Sequence, residues 1–401
     1  MKTKTCLTCI GTRPEIIKMA PVHKALLRQG HRSLILHTGQ HGAVADELYD
    51  FFDMRPDYTI DLKRKSSSLA HLTSALLEGV DEGLRALDPD IMLVQGDTTS
   101  ALAGAMIGYY HDKPVAHIEA GLRTFEREPF PEEKNREIIG RLAHWNFSPT
   151  RQARQNLLGE DIHAARIFEV GNTVIDAALW TRERILLATD NPDEMMPSVL
   201  SPFLAAVASR RLILVTAHRR ENWGQPIRNI ARAVGAMLAR HGDTCVVWPV
   251  HPNAAVRSDV ESEVALLSPA VRARICLLPP VGYQTMIRLL MQCDFTLTDS
   301  GGIQEEASAF AKPVLIARTS TERQELVQAG GATLVGTDLT TMTQAIDRLL
   351  GDARLYRSMQ LAVSPFGDGQ SGTRIADVIS SAQYKDGVWS GADSLAERRA
   401  A

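Results

Sequence analysis

Leu297-Thr-Asp-Ser-Gly-Gly-Ile-Gln-Glu-Glu-Ala307 joins a short apolar segment, 295–298, to a helical pattern through two glycines. Glycines let the backbone approach a ligand closely, and the free N–H groups at a helix start point at an anion. A strand that runs through glycines into a helix is one unit of a parallel α/β sheet, and the stretch is the chain's strongest phosphate signal. The first strand-like segment, 6–10, has a similar exit, Gly11-Thr-Arg-Pro-Glu-Ile-Ile-Lys18. Pro14 suits a first helical turn, and Arg13 and Lys18 match a diphosphate in charge.

Strand and helix alternate outward from these two points. Strands are expected over 6–10, 33–38, 91–95, 115–118, 145–148 and 167–170. A second series is expected over 212–216, 245–249, 275–278, 295–298, 313–316 and 333–335. The intervening segments carry helical spacing, as in Ile16, Ile17, Met19, Ala20, Leu26 and Leu27. This alternation implies parallel sheets covered by helices on both faces. The pattern pauses near 188–210, where Pro192, Pro197 and Pro202 interrupt it. The expectation is two Rossmann-like doubly wound domains, with a hinge near Gly171 and Asn172. They are 1–172 and 173–364, and 386–401 is a frayed tail.

A chain of 401 residues exceeds one typical core, and 44% hydrophobic with 23% charged residues is ordinary globular composition. A formal net charge of −3 leaves no electrostatic footprint for nucleic acid or an anionic membrane. No apolar run is long enough to span a bilayer, and the N-terminus lacks a signal peptide's pattern, so the chain reads as cytoplasmic. Cys6 and Cys9 form a C-x-x-C, but on a strand this spacing puts the thiols on opposite faces, and no second pair completes a zinc site.

Ligands of open parallel sheets bind at the carboxyl ends of the strands. Those ends here hold Thr38-Gly-Gln-His41, Gly96-Asp-Thr-Thr99, Glu119-Ala-Gly-Leu-Arg123, Ala217-His-Arg-Arg-Glu-Asn222 and His251-Pro-Asn253. Asp97 and Glu119 follow buried strands, where a carboxylate needs a partner or a job. Of Glu132 and Glu133, one is expected to cap or pair. His218 beside Arg219 and Arg220 is a candidate phosphate ligand. Glu305 or Glu306 is placed to accept from a ribose diol. Neither G-x-G-x-x-G nor G-x-x-x-x-G-K-[ST] occurs at Gly11, so neither a nicotinamide cofactor nor nucleotide hydrolysis is indicated. No H-x-x-x-H or D-x-D pattern supports a metal.

Taken together, nine stretches in one order resemble the non-hydrolysing UDP-N-acetylglucosamine 2-epimerases along nearly the whole chain. They are Gly11-Thr-Arg-Pro-Glu15, Thr38-Gly-Gln-His41, Gly96-Asp-Thr-Thr99, His117-Ile-Glu-Ala-Gly-Leu-Arg-Thr124, Pro131-Glu-Glu-Lys-Asn-Arg136, Gly171-Asn-Thr-Val-Ile-Asp176, Thr216-Ala-His-Arg-Arg-Glu-Asn222, Thr298-Asp-Ser-Gly-Gly-Ile-Gln-Glu-Glu-Ala307 and Thr321-Glu-Arg323. The resemblance implies a glycosyltransferase-B-like fold, two Rossmann-like domains facing a central cleft, with a C-terminal helix at about 365–385 returning to the first domain. It implies reversible inversion of C2 between UDP-GlcNAc and UDP-ManNAc through 2-acetamidoglucal, supplying ManNAc-type sugars for surface polysaccharide. No cofactor or metal is implied, and a homodimer is.

Carried over by position, Asp97, Glu119 and Glu132 are the acid/base candidates, in no assigned order, and His218 joins them at the catalytic centre. Arg13, Lys18, Arg136, His218, Ser300, Gly301, Gly302, Glu306 and Arg323 become UDP-sugar contacts. Val281 and Met286 fall where the family contacts uracil through its backbone. Ala43, Ser66 and Gln324 depart from the family pattern. The first two stand where bacterial members bind a second substrate molecule as activator, so the resemblance does not carry that activation over. The neighbouring readings are an epimerase of a modified UDP-sugar such as a diacetamido uronic acid, a hydrolysing variant, a glycosyltransferase using a UDP-sugar donor, and a non-catalytic sensor.

Overall fold

The computed structural model describes residues 2–39, 43–63, 66–187, 196–385 and 388–390. It divides into two compact units, Met1–Ala177 with Gly367–Ala401, and Ala178–Phe366. In the first, β1 (Thr5–Ile10), α1 (Arg13–Arg28), β2 (Arg32–His37), α2 (Ala43–Phe51), β3 (Tyr58–Thr59) and α3 (Leu69–Leu87) lead to β4 (Ile91–Gln95). Then come α4 (Thr99–Tyr110), β5 (Val115–Ile118), α5 (Glu132–Leu142), β6 (Trp145–Ser148), α6 (Arg151–Gly159), β7 (Ile167–Glu169) and α7 (Thr173–Leu187). The chain passes from one unit to the other within α7, between Ala177 and Ala178.

The seven strands form one parallel sheet in the order β3-β2-β1-β4-β5-β6-β7. Each residue of Ile91-Met-Leu-Val-Gln95 is buried, as expected of a strand covered on both faces. Leu7, Cys9, Met92 and Val94 share one core with Leu76 and Val80 of α3 and Ala101 and Ala105 of α4. The order reverses between β1 and β4. Helices leave these neighbours toward opposite faces, so their carboxyl ends stay uncovered by a connecting loop.

The second unit has α8 (Leu200–Ala206), β8 (Arg211–Thr216), α9 (Gln225–Arg240), β9 (Thr244–Pro249), α10 (Ala254–Ala265), α11 (Pro269–Arg272) and β10 (Ile275–Leu278). It continues with α12 (Tyr283–Gln292), β11 (Phe295–Thr298), α13 (Gly301–Ala309), β12 (Val314–Ile316), α14 (Gln324–Gln328), β13 (Ala332–Leu334), α15 (Leu339–Gly351) and α16 (Ala353–Met359). Its six strands are parallel, in the order β10-β9-β8-β11-β12-β13, with the reversal between β8 and β11. Helix α9 buries Ile227, Ile230, Ala231, Val234, Met237 and Leu238, one stripe at helical spacing, against Val215, Val246 and Trp248. No helix among the described residues is long and apolar enough to cross a membrane.

Most expected strands lie within a residue of their observed ends. The strand expected at 313–316 starts at Val314, because Pro313 has no N–H to give the ladder. Two segments differ. Tyr58–Thr59 was not expected, and it is a strand only because His37 and Leu36 sit beside it. Val388–Ser390, placed by sequence in a frayed tail, pairs antiparallel with Gln383–Lys385 as β15 on β14.

After Gly367 the chain returns to the first unit as α17 (Ser371–Ser381), which lies against α1. Both ends of α17 are held by other elements. Asp176 Oδ1 of α7 accepts from Gly372 N at 2.8 Å, a carboxylate at a helix N-terminus. Lys4 Nζ donates to the carbonyls of Ile379 (2.6 Å) and Ser380 (3.0 Å) at the other end. Gly372 is required by contact, since a Cβ there would stand 2.8 Å from the backbone C and O of Pro21. Gly372→Ala is therefore expected to destabilise the first unit by about 1–3 kcal/mol, read as a lower urea midpoint. Gly159→Ala, with nothing within 4 Å of its new Cβ, is expected to be neutral or slightly stabilising.

Candidate active site

At the end of β1 the chain turns through Gly11 and Thr12 into α1, with Pro14 in the first turn. Glu15 closes that turn. Its Oε2 accepts from Gly11 N (3.0 Å) and Thr12 N (2.6 Å), and its Oε1 accepts from the Thr98 hydroxyl at 2.8 Å. The loop after β1 is thereby tied to the loop after β4. Burial pushes Glu15 up to about 7, against the pull of its hydrogen bonds from Thr12, Thr98 and Gly11. Sequence reading passed over Glu15, although its position three residues after Thr12 is the capping-box signature.

One turn further on, Lys18 Nζ meets Glu119 Oε1 at 2.5 Å. Gln95 Nε2 also donates to Glu119, and so does Asn172 Nδ2 at 3.1 Å. Three donors from β4, α1 and the segment before α7 converge on this one carboxylate. Glu119 has φ +66°, a left-handed conformation uncommon outside glycine. Gly96 has φ +70°, a conformation that favours glycine, and a Cβ there would make only ordinary contact with Glu119 Oε2, at 3.6 Å. His117 Nε2 bonds the Gly96 carbonyl at 2.8 Å, and burial holds its ring neutral, with a pKa of about 4.

Asp97 is the next residue. Arg136 Nε lies 3.3 Å from its Oδ2, and Asn135 Nδ2 donates to its carbonyl at 2.9 Å. Burial raises its pKa to about 6; Arg136 and Lys18 oppose the rise, and Glu119 and Glu132 add to it. Glu132 begins α5, half-buried, and its side chain has no hydrogen bond or ion pair among the described residues. Its neighbour Glu133 is the structural one: it is buried, accepts from Thr124 N and Phe125 N at 3.0 Å each, and lies 3.4 Å from Arg136. The first unit therefore gathers Lys18, Asp97, Glu119 and Arg136 by direct contact and Glu132 by charge. Arg13 opens α1, and its Nε is buried with no hydrogen-bond partner among the described residues.

The second unit gathers the phosphate candidates. Ser300 caps α13, with its N–H donating to the Thr298 hydroxyl at 2.9 Å. Gly301 and Gly302 begin the helix, where backbone N–H groups have no intrahelical acceptor. A Cβ at Gly302 would meet only Ser300 Oγ, at 4.0 Å. A Cβ at Gly301 would stand 2.9 Å from Arg323 Cζ, so glycine is what lets that guanidinium lie beside the helix start. Arg323 Nε donates to Glu305 Oε1 at 2.9 Å, and Arg323 is 3.6 Å from Glu322. Against the cost of burial, a hydrogen bond from Arg318 and the charges of Arg323 and Arg318 pull Glu322 down to about 2.

His218, after β8, donates its N–H to Asp299. Glu306, on α13, is buried and lies near Tyr283, the first residue of α12. Val281 precedes α12 and Met286 lies on it, both half-buried. Among the departures, Gln324 heads α14 and donates to the Thr321 carbonyl at 2.7 Å, while Ser66 bonds His71 on the exposed start of α3. Ala43 opens α2. Gln40 and His41 lie outside the described residues. Gln95 was not singled out by sequence and Asn172 was read only as part of a hinge, because uncharged groups acquire meaning from their partners; Asp299 was not singled out either, although it follows a buried strand as Asp97 and Glu119 do.

The family model for UDP-N-acetylglucosamine 2-epimerase matches residues 24–380. The chain is 40% identical over 379 residues to the UDP-N-acetylglucosamine 2-epimerase of Yersinia pestis, covering 94% of this chain and 98% of that protein. A crystal structure of a putative UDP-N-acetylglucosamine 2-epimerase from Listeria monocytogenes superposes with a TM-score of 0.84 at 37% identity, covering 95% of this chain and 96% of that one. The UDP-GlcNAc 2-epimerase of Neisseria meningitidis, solved bound to UDP-GlcNAc, gives a TM-score of 0.83 at 33% identity, covering 94% of this chain and 99% of that one. With identity of this order sustained along both units, the chain belongs to the UDP-N-acetylglucosamine 2-epimerase family.

Proposed function

We propose that the protein interconverts UDP-GlcNAc and UDP-ManNAc by inverting C2, without net hydrolysis. The observation that carries this reading is the group of carboxylates at the ends of β4 and β5 and the start of α5, held in unlike surroundings. Glu119 receives three donors, Asp97 faces one guanidinium, and Glu132 has no ion partner among the described residues. Inversion needs one group to remove a proton from one face of C2 and another to return a proton to the opposite face. Titratable groups with unlike surroundings suit that division. Asp97, Glu119 and Glu132 are the acid/base candidates.

The C2–H bond breaks as its electrons form the C1=C2 double bond, and the C1–O bond releases UDP, leaving 2-acetamidoglucal. Readdition of UDP at C1 with protonation of C2 from the other face completes the inversion and restores every atom. Negative charge builds on the departing diphosphate, so its stabilisation lowers the barrier most. Ser300, Gly301, Gly302 and His218 in the second unit, with Arg13, are the groups proposed to hold it, and Lys18, Arg136 and Arg323 are further cationic contacts. Glu306 is proposed to accept from the ribose hydroxyls, and the backbone at Val281 and Met286 to face the uracil. The proton chemistry is assigned to side chains of this chain, and the product is a ManNAc-type donor for surface polysaccharide made in the cytoplasm.

Incubation with UDP-GlcNAc in deuterium oxide, followed by proton NMR, tests the reading. UDP-ManNAc carrying deuterium at C2 is expected. Free ManNAc with UDP would instead identify a hydrolysing enzyme. No exchange with UDP binding intact would overturn the assignment in favour of a modified UDP-sugar or a transferase. Asp97→Asn and Glu119→Gln are each expected to lower kcat by about 10²–10⁴-fold, with UDP affinity measured by calorimetry little changed. Because burial raises Asp97 to about 6 in the free protein, kcat/KM is expected to show a limb near that pH. Asp97 is ionised above it and protonated below it. Loss of rate below pH 6 identifies Asp97 as the base in the direction assayed, and loss above identifies it as the acid. Asp97→Asn is expected to remove the limb.

A further inference from the structure

The reversal of strand order in the second unit sets the end of β8 beside the end of β11, and one side chain joins them. Asp299, the residue after β11, is 0% exposed. Its Oδ2 accepts from His218 N, Arg219 N and Asn222 Nδ2, each at 2.9 Å. Its Oδ1 accepts from His218 N at 3.1 Å and lies 3.3 Å from His218 Nδ1. Asn222 is itself buried and also donates to the Ala317 carbonyl after β12, at 3.1 Å. The segment from His218 to Asn222 is thus wrapped round a single carboxylate. Trp223 Nε1 closes the turn on the His218 carbonyl at 3.4 Å.

Such a cradle does more than satisfy a buried charge. Two backbone N–H groups and one amide already satisfy Asp299, yet the imidazole also turns Nδ1 toward it. A ring whose Nδ1 faces a carboxylate presents Nε2 as its other polar edge, and the side chain is 45% exposed. The charged groups facing the ring are Asp299, Arg219, His251 and Glu221. Partial desolvation by the surrounding loop favours the neutral ring, Asp299 and Glu221 favour the charged one, and Arg219 and His251 oppose it, so that the balance lies below the usual histidine value. The resting imidazole is therefore neutral at neutral pH. An anion placed at Nε2 would put the ring between two negative groups and reverse that balance.

We propose that Asp299 is a positioning residue that holds His218 by Nδ1 and supports its protonation at Nε2 when the diphosphate of a uridine nucleotide binds. The proton comes from solvent, and the imidazolium then donates to a phosphate oxygen. No covalent bond is made or broken. Nucleotide binding and proton uptake become one event, and the reverse event, nucleotide release, returns the proton. Asp299 itself touches no substrate atom in this scheme, and its backbone bonds keep the His218 loop at the switch point. The inference rests on the reading of His218 as a diphosphate contact.

Calorimetric titration of the full chain with UDP at pH 8, in two buffers of different ionisation enthalpy, tests the coupling. UDP is fully ionised there, its terminal phosphate titrating near ~6, so protons taken up belong to the protein. The wild type is expected to take up a measurable fraction of a proton per UDP bound. His218→Gln is expected to take up none. Asp299→Asn is expected to bind UDP about tenfold more weakly, with reduced uptake and a flatter dependence of Kd on pH. Should Asp299→Asn fail to fold, the His218 Cε1–H resonance of the wild type serves instead, and its titration is expected to move to higher pH with UDP present. UDP binding without proton uptake, uptake that persists in His218→Gln, or a His218 titration unmoved by UDP would overturn the inference and leave the nucleotide reading standing. Absence of UDP binding would overturn both.

Discussion

Each unit depends on one topological constraint: where neighbouring parallel strands send their chains to opposite faces, their carboxyl ends stay open. The first unit has this gap between β1 and β4, the second between β8 and β11. The strands around both gaps are almost wholly buried, so charged groups collect where the strands stop. Gly96, Asp97 and Thr98 follow β4, and Asp299 and Ser300 follow β11. Burial of the sheets supplies the stability, and the strand ends are where that stability is spent on charged groups.

Those charges are kept by local partners rather than by the overall balance of the chain. Glu15 bonds its own helix start and the Thr98 loop, Glu119 receives Lys18, Gln95 and Asn172, and Asp299 receives the His218 loop. Each acid ties together two segments that leave different strands. Removing one carboxylate therefore does more than delete a charge: it releases a loop that carries another site residue. Asp97 differs, since its side chain's ion pair is the longer 3.3 Å contact with Arg136, and burial outweighs that pairing. A group left in that condition is available to exchange a proton near neutral pH.

The contrast between Glu132 and Glu133 shows how far residue types alone can be read. Adjacent in sequence, they point from one helix turn to different uses. Glu133 is consumed by two backbone N–H groups of the preceding loop, and Glu132 is not. Similarly, Glu305 pairs with Arg323 while Glu306 lies toward α12. In both pairs one residue's step along the helix separates neighbouring side chains by about 100°, so which one faces the structure depends on what is packed beside the helix.

Local sequence determined the alternation of strand and helix, the glycine-bearing exits, and the acids, bases and cations gathered at them. Apolar periodicity and turn chemistry act over a few residues, so they are visible without a fold. Only tertiary structure decided that Tyr58–Thr59 is a strand, since two residues have no periodicity and need Leu36 and His37 beside them. Only tertiary structure showed that Gln95 and Asn172 meet Glu119, or that Asp299 meets His218, because those partners lie 24, 53 and 81 positions apart. Strand order brings them together, and strand order is set by how two sheets bury their faces, a property of the whole chain rather than of any segment.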